Sequence, residues 1–244
     1  MHPVIFENTD KYYADKKVLD NVSFSMEENK ISVILGRSGS GKSTILKLIN
    51  GLLKPDSGTV KVFGEKIIHS DIYELRKQIG YSVQGTSLFP HMNVYENITL
   101  LGRLNKWNKE KISDRLDILL KFVDLPEKFL KKYPAELSGG EQQRVGICRA
   151  MMLNPKIFLL DEAFGALDPT TKSEIHSELL RIQSIEPRTI VIVTHDLQEA
   201  FKLADRIIII EKGVIRQTGV REEILNSEIE FVKYFIRSQI EFLK

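Results

Sequence analysis

Residues 31–44 read Ile31-Ser32-Val33-Ile34-Leu35-Gly36-Arg37-Ser38-Gly39-Ser40-Gly41-Lys42-Ser43-Thr44. The first five are short, β-branched and largely apolar, the pattern of a buried parallel strand. They run directly into Gly, four residues and Gly-Lys-Ser, the phosphate-loop pattern. Each part has a physical reason. Glycines allow backbone dihedrals that other residues resist and let the main chain approach a ligand closely. Successive N–H groups can then point inward as an anion nest, reinforced by the positive end of a following helix. In this pattern Lys42 reaches the β- and γ-phosphates and the Ser43 hydroxyl takes Mg²⁺. Ile45, Leu48, Ile49 and Leu52 recur at i, i+3, i+4 and i+7, so a helix is expected to follow. Gly36, Arg37, Ser38, Gly39, Ser40, Gly41, Lys42, Ser43 and Thr44 are the candidate nucleotide contacts of this loop.

Three more strands of the same kind end on residues capable of chemistry. Residues 79–83 lead to Gln84, residues 157–160 to Asp161 and residues 190–194 to His195. Ligands of open α/β sheets gather at the carboxyl ends of the strands, so four such ends would build one site. Asp161 suits a second Mg²⁺ ligand, and Glu162 beside it suits a group that orients or activates the attacking water. Taken alone, the two acids also read as an ordinary turn. Gln84 is a candidate for contact with Mg²⁺ or that water, and His195 for contact with the γ-phosphate. A lone histidine after an apolar strand is more often structural, and only its convergence with the loop raises it. The catalytic candidates are therefore Lys42, Gln84, Glu162 and His195, and the metal candidates Ser43, Gln84 and Asp161. His2, His69, His91 and His176 show no metal-ligand spacing.

The chain has 244 residues, with 35 Lys and Arg against 33 Asp and Glu, a formal net charge of +2. Near-neutrality argues against a general polyanion binder, so no nucleic-acid partner is expected. The longest apolar runs, such as residues 207–210, are far short of the roughly 20 residues of a spanning helix. The N-terminus lacks the basic and apolar regions of a signal peptide. Cys148, the single cysteine, leaves no internal disulfide and points to a cytosolic home.

The 15 glycines are ordinary in number but not in placement. A second cluster stands in Leu137-Ser138-Gly139-Gly140-Glu141-Gln142-Gln143-Arg144. Ser138 and Glu141 make a capping box at a helix start. Two glycines in the first turn cost roughly 1 kcal/mol each relative to Ala. That cost implies a need for bare N–H groups near a ligand, a second anion site. A plain capped helix explains Ser138 and Glu141 but not the glycines. Cys148 reads as a packing residue of that helix.

With both clusters in view, the chain resembles the ATP-binding subunits of ABC transporters over nearly its whole length. The resemblance rests on the phosphate loop 36–44, the Q-loop Gln84, the signature 137–141, the Walker-B segment 157–162, the D-loop 166–168 and the switch histidine His195. It implies an α/β fold: an ABC-type P-loop ATPase domain with a mainly parallel core sheet, an N-terminal antiparallel β subdomain and an inserted α-helical subdomain. Within one domain over 1–244, residues 1–90 and 155–220 would form a RecA-like core with the β subdomain. Residues 91–154 would form the helical subdomain, and residues 221–244 a helical tail. The resemblance adds Tyr13, with Tyr12 as fallback, as the ring stacked on adenine. It adds Ser138, Gly139, Gly140, Glu141 and Asp168 as ATP contacts, and ATP and Mg²⁺ as the molecules bound.

The resemblance also implies partners. Two copies, or this chain and a related ATPase subunit, would pair head to tail with ATP between one P-loop and the other copy's signature. Two membrane permease subunits and a substrate-binding protein would complete the complex. The chain would sit peripherally on the cytoplasmic face of the inner membrane and be soluble when isolated. Segments 80–98 and 161–169 resemble importers, and residues 194–196 with 199–206, and 222–225 with 231–232, are similar to the quaternary-amine importers of glycine betaine, choline and carnitine. Gly85 departs from that group, which often has a second glutamine there. The CBS domains many members carry after the ATPase are not among these 244 residues. Another small-solute importer is the alternative, and a soluble ABC ATPase is a more distant one.

Overall fold

The computed structural model describes residues 1–67, 72–83, 85 and 87–241. Along the chain run β1 (Val4–Tyr13), β2 (Lys16–Met26), β3 (Ile31–Leu35), α1 (Lys42–Ile49), β4 (Ser57–Val62), β5 (Glu65–Lys66) and α2 (Ile72–Lys77). Next come β6 (Ile79–Ser82), α3 (Val94–Leu104), α4 (Lys109–Phe122), α5 (Gly139–Met151), β7 (Ile157–Asp161) and α6 (Pro169–Ile185). The chain closes with β8 (Thr189–Thr194), α7 (Leu197–Leu203), β9 (Arg206–Glu211), β10 (Val214–Gly219), α8 (Arg221–Leu225) and α9 (Glu230–Glu241). These elements make two compact units, residues 1–76 with 189–244, and residues 77–188.

The first unit holds an antiparallel sheet in the order β2-β1-β4-β5. Alternation along β1 turns Val4 and Phe6 into the core, where the Phe6 ring stacks on Phe24 at 4.7 Å. Asn8 and Asn21, at φ 46° and 49°, mark bulges in the hairpin and bond to each other at 3.0 Å. Asparagine tolerates this left-handed backbone better than most residues. The same unit holds strands in the order β10-β9-β3-β8. β3 pairs in parallel with β8 and β9, and β10 closes the edge antiparallel to β9. All five residues of β3 and all six of β8 are buried, as their apolar patterns require.

Helix α1 follows β3 as expected but stops at Ile49, so Leu52 is not on it. Gly51, at φ 62°, turns the chain, and Leu52 is half exposed with its N–H on the Lys47 carbonyl at 2.8 Å. The C-terminal segment is two helices, α8 and α9, with a break at 226–229, rather than one.

The second unit pairs β6 with β7 in parallel. A Cβ on Gly80 would lie 2.4 Å from the Ala150 carbonyl oxygen and 2.7 Å from Pro155, so the end of α5 presses directly on this strand. Helices α3, α4 and α5 bury Val94, Ile98, Leu116, Leu119 and Val145. Cys148 packs in this core, its thiol donating to the Leu119 carbonyl at 3.3 Å, and burial pushes its pKa up. Helix α6, which periodicity did not bring out, starts on the paired signals of Asp168 as N-cap and Pro169 in the first turn. No helix among the described residues is long and apolar enough to cross a membrane.

Gly80→Ala is expected to lower unfolding free energy by about 1–3 kcal/mol through overpacking. Urea unfolding measures this, and an unchanged midpoint would contradict the close contact.

Candidate functional site

In the first unit the site grows from one register. Leu35 of β3 pairs with Thr194 of β8, so Gly36 and His195 leave neighbouring parallel strands at the same level. The loop after Gly36 is held by its surroundings. A Cβ on Gly36 would lie 2.4 Å from the Ile210 carbonyl. Gly41 stands at φ 105° as the N-cap of α1, and a Cβ there would meet Leu19 at 2.7 Å and the Val18 carbonyl at 2.9 Å. The Ser40 carbonyl accepts from Gly213 N–H at 3.0 Å, and the Gly213 carbonyl from Asp20 N–H at 2.9 Å. Thus β2 and the β9–β10 turn grip the loop from two sides, leaving Arg37, Ser38 and Gly39 exposed at its crown.

Lys42 is only 4% exposed, and its ammonium donates to the Gly36 and Arg37 carbonyls at 2.9 Å each. Charge-assisted bonds offset the desolvation of this buried cation and draw the loop into a ring. Ser43 and Thr44 follow in the first turn of α1. The Arg37 guanidinium lies over the Tyr234 ring of α9, 5.6 Å from its centroid. Tyr12 and Tyr13, both partly exposed, end β1 on the hairpin whose second strand presses on Gly41. Lys17 lies over the Tyr12 ring at 5.7 Å.

In the second unit Asp161 ends β7 and is 3% exposed. Its Oδ2 accepts from the Tyr81 hydroxyl at 3.2 Å. Burial first, and then the Asp161 charge, pushes the Tyr81 phenol up from its ordinary value. Glu162 sits at φ 48°, a left-handed conformation that strains a non-glycine residue and turns it away from the strand direction. Gln143 of α5 holds this turn: its Nε2 donates to the Glu162 carbonyl at 3.1 Å and its Oε1 accepts from Ala166 N–H at 3.0 Å. The signature helix therefore fixes the acidic loop through one amide.

At the start of α5, Ser138 and Glu141 form the capping box, at 3.2 Å and 2.7 Å. This uses the Glu141 carboxylate within the helix. A Cβ on Gly139 would meet nothing within 4 Å, so no packing in this chain demands glycine there. Asp168 Oδ1 caps α6 on Thr171 N–H at 3.0 Å, and hydrogen bonds from the Thr171 side chain first, and then from this N–H, hold its carboxyl below the usual range. Gln84 lies outside the described residues. No cluster of three or more His, Cys, Asp or Glu with metal-site spacing occurs among the described residues. Ser43 and Asp161 are hard oxygen donors, the kind Mg²⁺ takes one or two at a time beside substrate phosphates.

Sequence reasoning missed Gln143 and Tyr81 as parts of this site. Gln143 stood inside the glycine-rich stretch, two residues beyond the capping box, with no role. Tyr81 stood three residues before Gln84, on the strand that leads to it.

Residues 19–165 match the family described as ABC transporter. The glycine betaine/carnitine/choline transport ATP-binding protein OpuCA of Bacillus subtilis (strain 168) is 45% identical over 226 residues, covering 92% of this chain and 60% of that protein. The glycine betaine uptake system ATP-binding protein YehX of Escherichia coli (strain K12) is 40% identical over 237 residues, covering 96% and 77%. The chain spans about three-fifths of the length of OpuCA and of the choline transport ATP-binding protein OpuBA of the same Bacillus, 60% and 61%. A solved dimeric structure of the ATP-binding cassette MJ0796 in a post-hydrolysis state bound to ADP and Pi superposes with a TM-score of 0.83. It is 33% identical and covers 89% of this chain and 98% of that one. The fold class expected from the sequence is borne out by this likeness.

Gln143→Ala would leave the Glu162 carbonyl and the Ala166 amide without this partner. Stability should fall by about 1–3 kcal/mol, and Ala166 N–H should exchange faster with solvent. Wild-type exchange at Ala166 would show that Gln143 does not hold the loop.

Proposed function

We propose that this chain, which belongs to the ABC transporter family, is the ATP-binding and ATP-hydrolysing subunit of an importer for glycine betaine- and choline-type osmolytes. Identity of 40–45% to relatives named for such transport carries the substrate class. The ring closed by Lys42 at the end of β3 carries the nucleotide.

Residues 36–44 hold the triphosphate. Lys42 turns from the Gly36 and Arg37 carbonyls to the β- and γ-phosphate oxygens, so binding exchanges one set of charge-assisted bonds for another. Ser43, Asp161 and Gln84 would hold Mg²⁺, which neutralises charge on those oxygens. Glu162 accepts the proton of the attacking water, and His195 contacts the γ-phosphate. Tyr13 stacks on adenine. Ser138, Gly139 and Gly140 of a second copy close the site with bare N–H groups, and Asp168 lines the same interface. The open surroundings of Gly139 support this reading, because a ligand or a partner supplies the reason for glycine that the chain itself does not.

The pair works as a homodimer, or with a related ATPase subunit, on two permease subunits fed by a binding protein. The chain is held peripherally on the cytoplasmic face of the inner membrane. Residues 1–90 and 155–220 act as the core, 91–154 as the helical subdomain and 221–244 as the tail.

Glu162→Gln is expected to retain ATP, to lose turnover by about 100-fold or more, and to elute as an ATP-dependent dimer in size exclusion. Normal steady-state turnover would refute the role of Glu162. Ser138→Arg should block turnover while ATP binding by the monomer persists. Lost monomer binding would set the signature beside its own P-loop.

A further inference from the structure

Helix α9 docks on the first unit through Val232, Phe235 and Ile236, at i, i+3 and i+4. The next place on that stripe, i+7, is Gln239. An apolar residue continues such a stripe most simply. Gln239 instead directs both ends of its amide at the loop between β8 and α7. Its Nε2 donates to the His195 carbonyl at 2.7 Å, and its Oε1 accepts from Leu197 N–H at 3.1 Å.

The rest of that loop is closed locally. Asp196 N–H donates to Thr194 Oγ1 at 3.0 Å. Gln198 and Glu199 N–H donate to Asp196 Oδ1 at 2.8 Å and 3.3 Å. Leu197 N–H is one of the first donors of α7, which lack acceptors inside the helix. The Asp196 cap serves the two donors after it, and Gln239 takes the one before. A single side chain thus fixes the main chain on both flanks of residue 196, the first of them at His195. The same helix also carries Tyr234 under the Arg37 guanidinium, at a distance typical of a cation–π contact. Helix α9 therefore touches the two segments that follow the paired strands β3 and β8.

We propose that Gln239 is a positioning residue for His195, acting through the His195 main chain, so that docking of α9 sets the histidine against the γ-phosphate. This rests on the reading of His195 given above. Misplacement of a catalytic contact by about 1 Å can lower turnover by about 100-fold. A histidine left on its own loop without Gln239 should lose part of that.

The test compares Gln239→Met, which keeps length and the apolar stripe, and Gln239→Glu, which keeps an acceptor for Leu197 but loses the donor, with His195→Ala. The full chain is assayed for ATPase activity with its permease, and for amide exchange at Leu197 without nucleotide. Gln239→Met should speed Leu197 exchange by about tenfold. Both Gln239 variants should lower kcat by about tenfold, with KM for ATP unchanged. In the His195→Ala background neither should lower kcat further. Wild-type kcat in Gln239→Met beside a His195→Ala of lowered kcat overturns the proposal and leaves the reading of His195 standing. Normal turnover in His195→Ala overturns that reading and the proposal with it. A rise in KM matching the fall in kcat also overturns it, because the effect then lies in nucleotide binding.

Discussion

The first unit is organised around one backbone turn. Gly41 stands at φ 105° with no room for a Cβ, because Leu19 and the Val18 carbonyl of β2 already occupy that space. Only glycine relieves both constraints, the left-handed dihedral and the contact. The turn starts α1 after a loop of six residues from the end of β3 and brings Lys42 back under that loop. The contact of Gly36 with Ile210 and the bond between Ser40 and Gly213 fix the same loop from the opposite side. A phosphate cradle needs its backbone set before the ligand arrives, and this packing holds the loop read as that cradle.

The second unit answers with a strained turn. Glu162 holds a left-handed dihedral that costs an ordinary residue about 1–3 kcal/mol. Gln143 offsets part of that cost by bonding the main chain at Glu162 and Ala166. The capped glycine pair begins the same helix four residues before Gln143. A disturbance at the signature therefore has a short covalent and hydrogen-bonded route to the acidic turn. This is a physical link between the start of α5 and Glu162.

Much of this was legible because periodicity and spacing are local. The buried strands ending at residues 35, 161 and 194 stand where apolar runs required them, and the helices of residues 94–151 follow three- and four-residue steps. What escaped was non-local or conformational. Gln143 and Gln239 work through partners about 20 and 44 residues away, and no short-range pattern marks them. Glu162 has no side-chain feature that announces a positive φ. Leu52 fits the helical period but follows Gly51, whose turn ends the helix first. The break at 226–229 was masked because α8 and α9 are each amphipathic.

In the proposed dimer each ATP lies between the phosphate loop of one copy and the signature of another. The single cysteine is buried with its thiol pKa pushed up, which leaves the chain a quiet background for thiol chemistry. A chain carrying Ser38→Cys and Ser138→Cys, with Glu162→Gln to retain nucleotide, can be treated with a short bifunctional maleimide. The expected product is two linked chains on a denaturing gel, formed with ATP and Mg²⁺ and not without them. Linkage within one chain, or linkage indifferent to ATP, would contradict it.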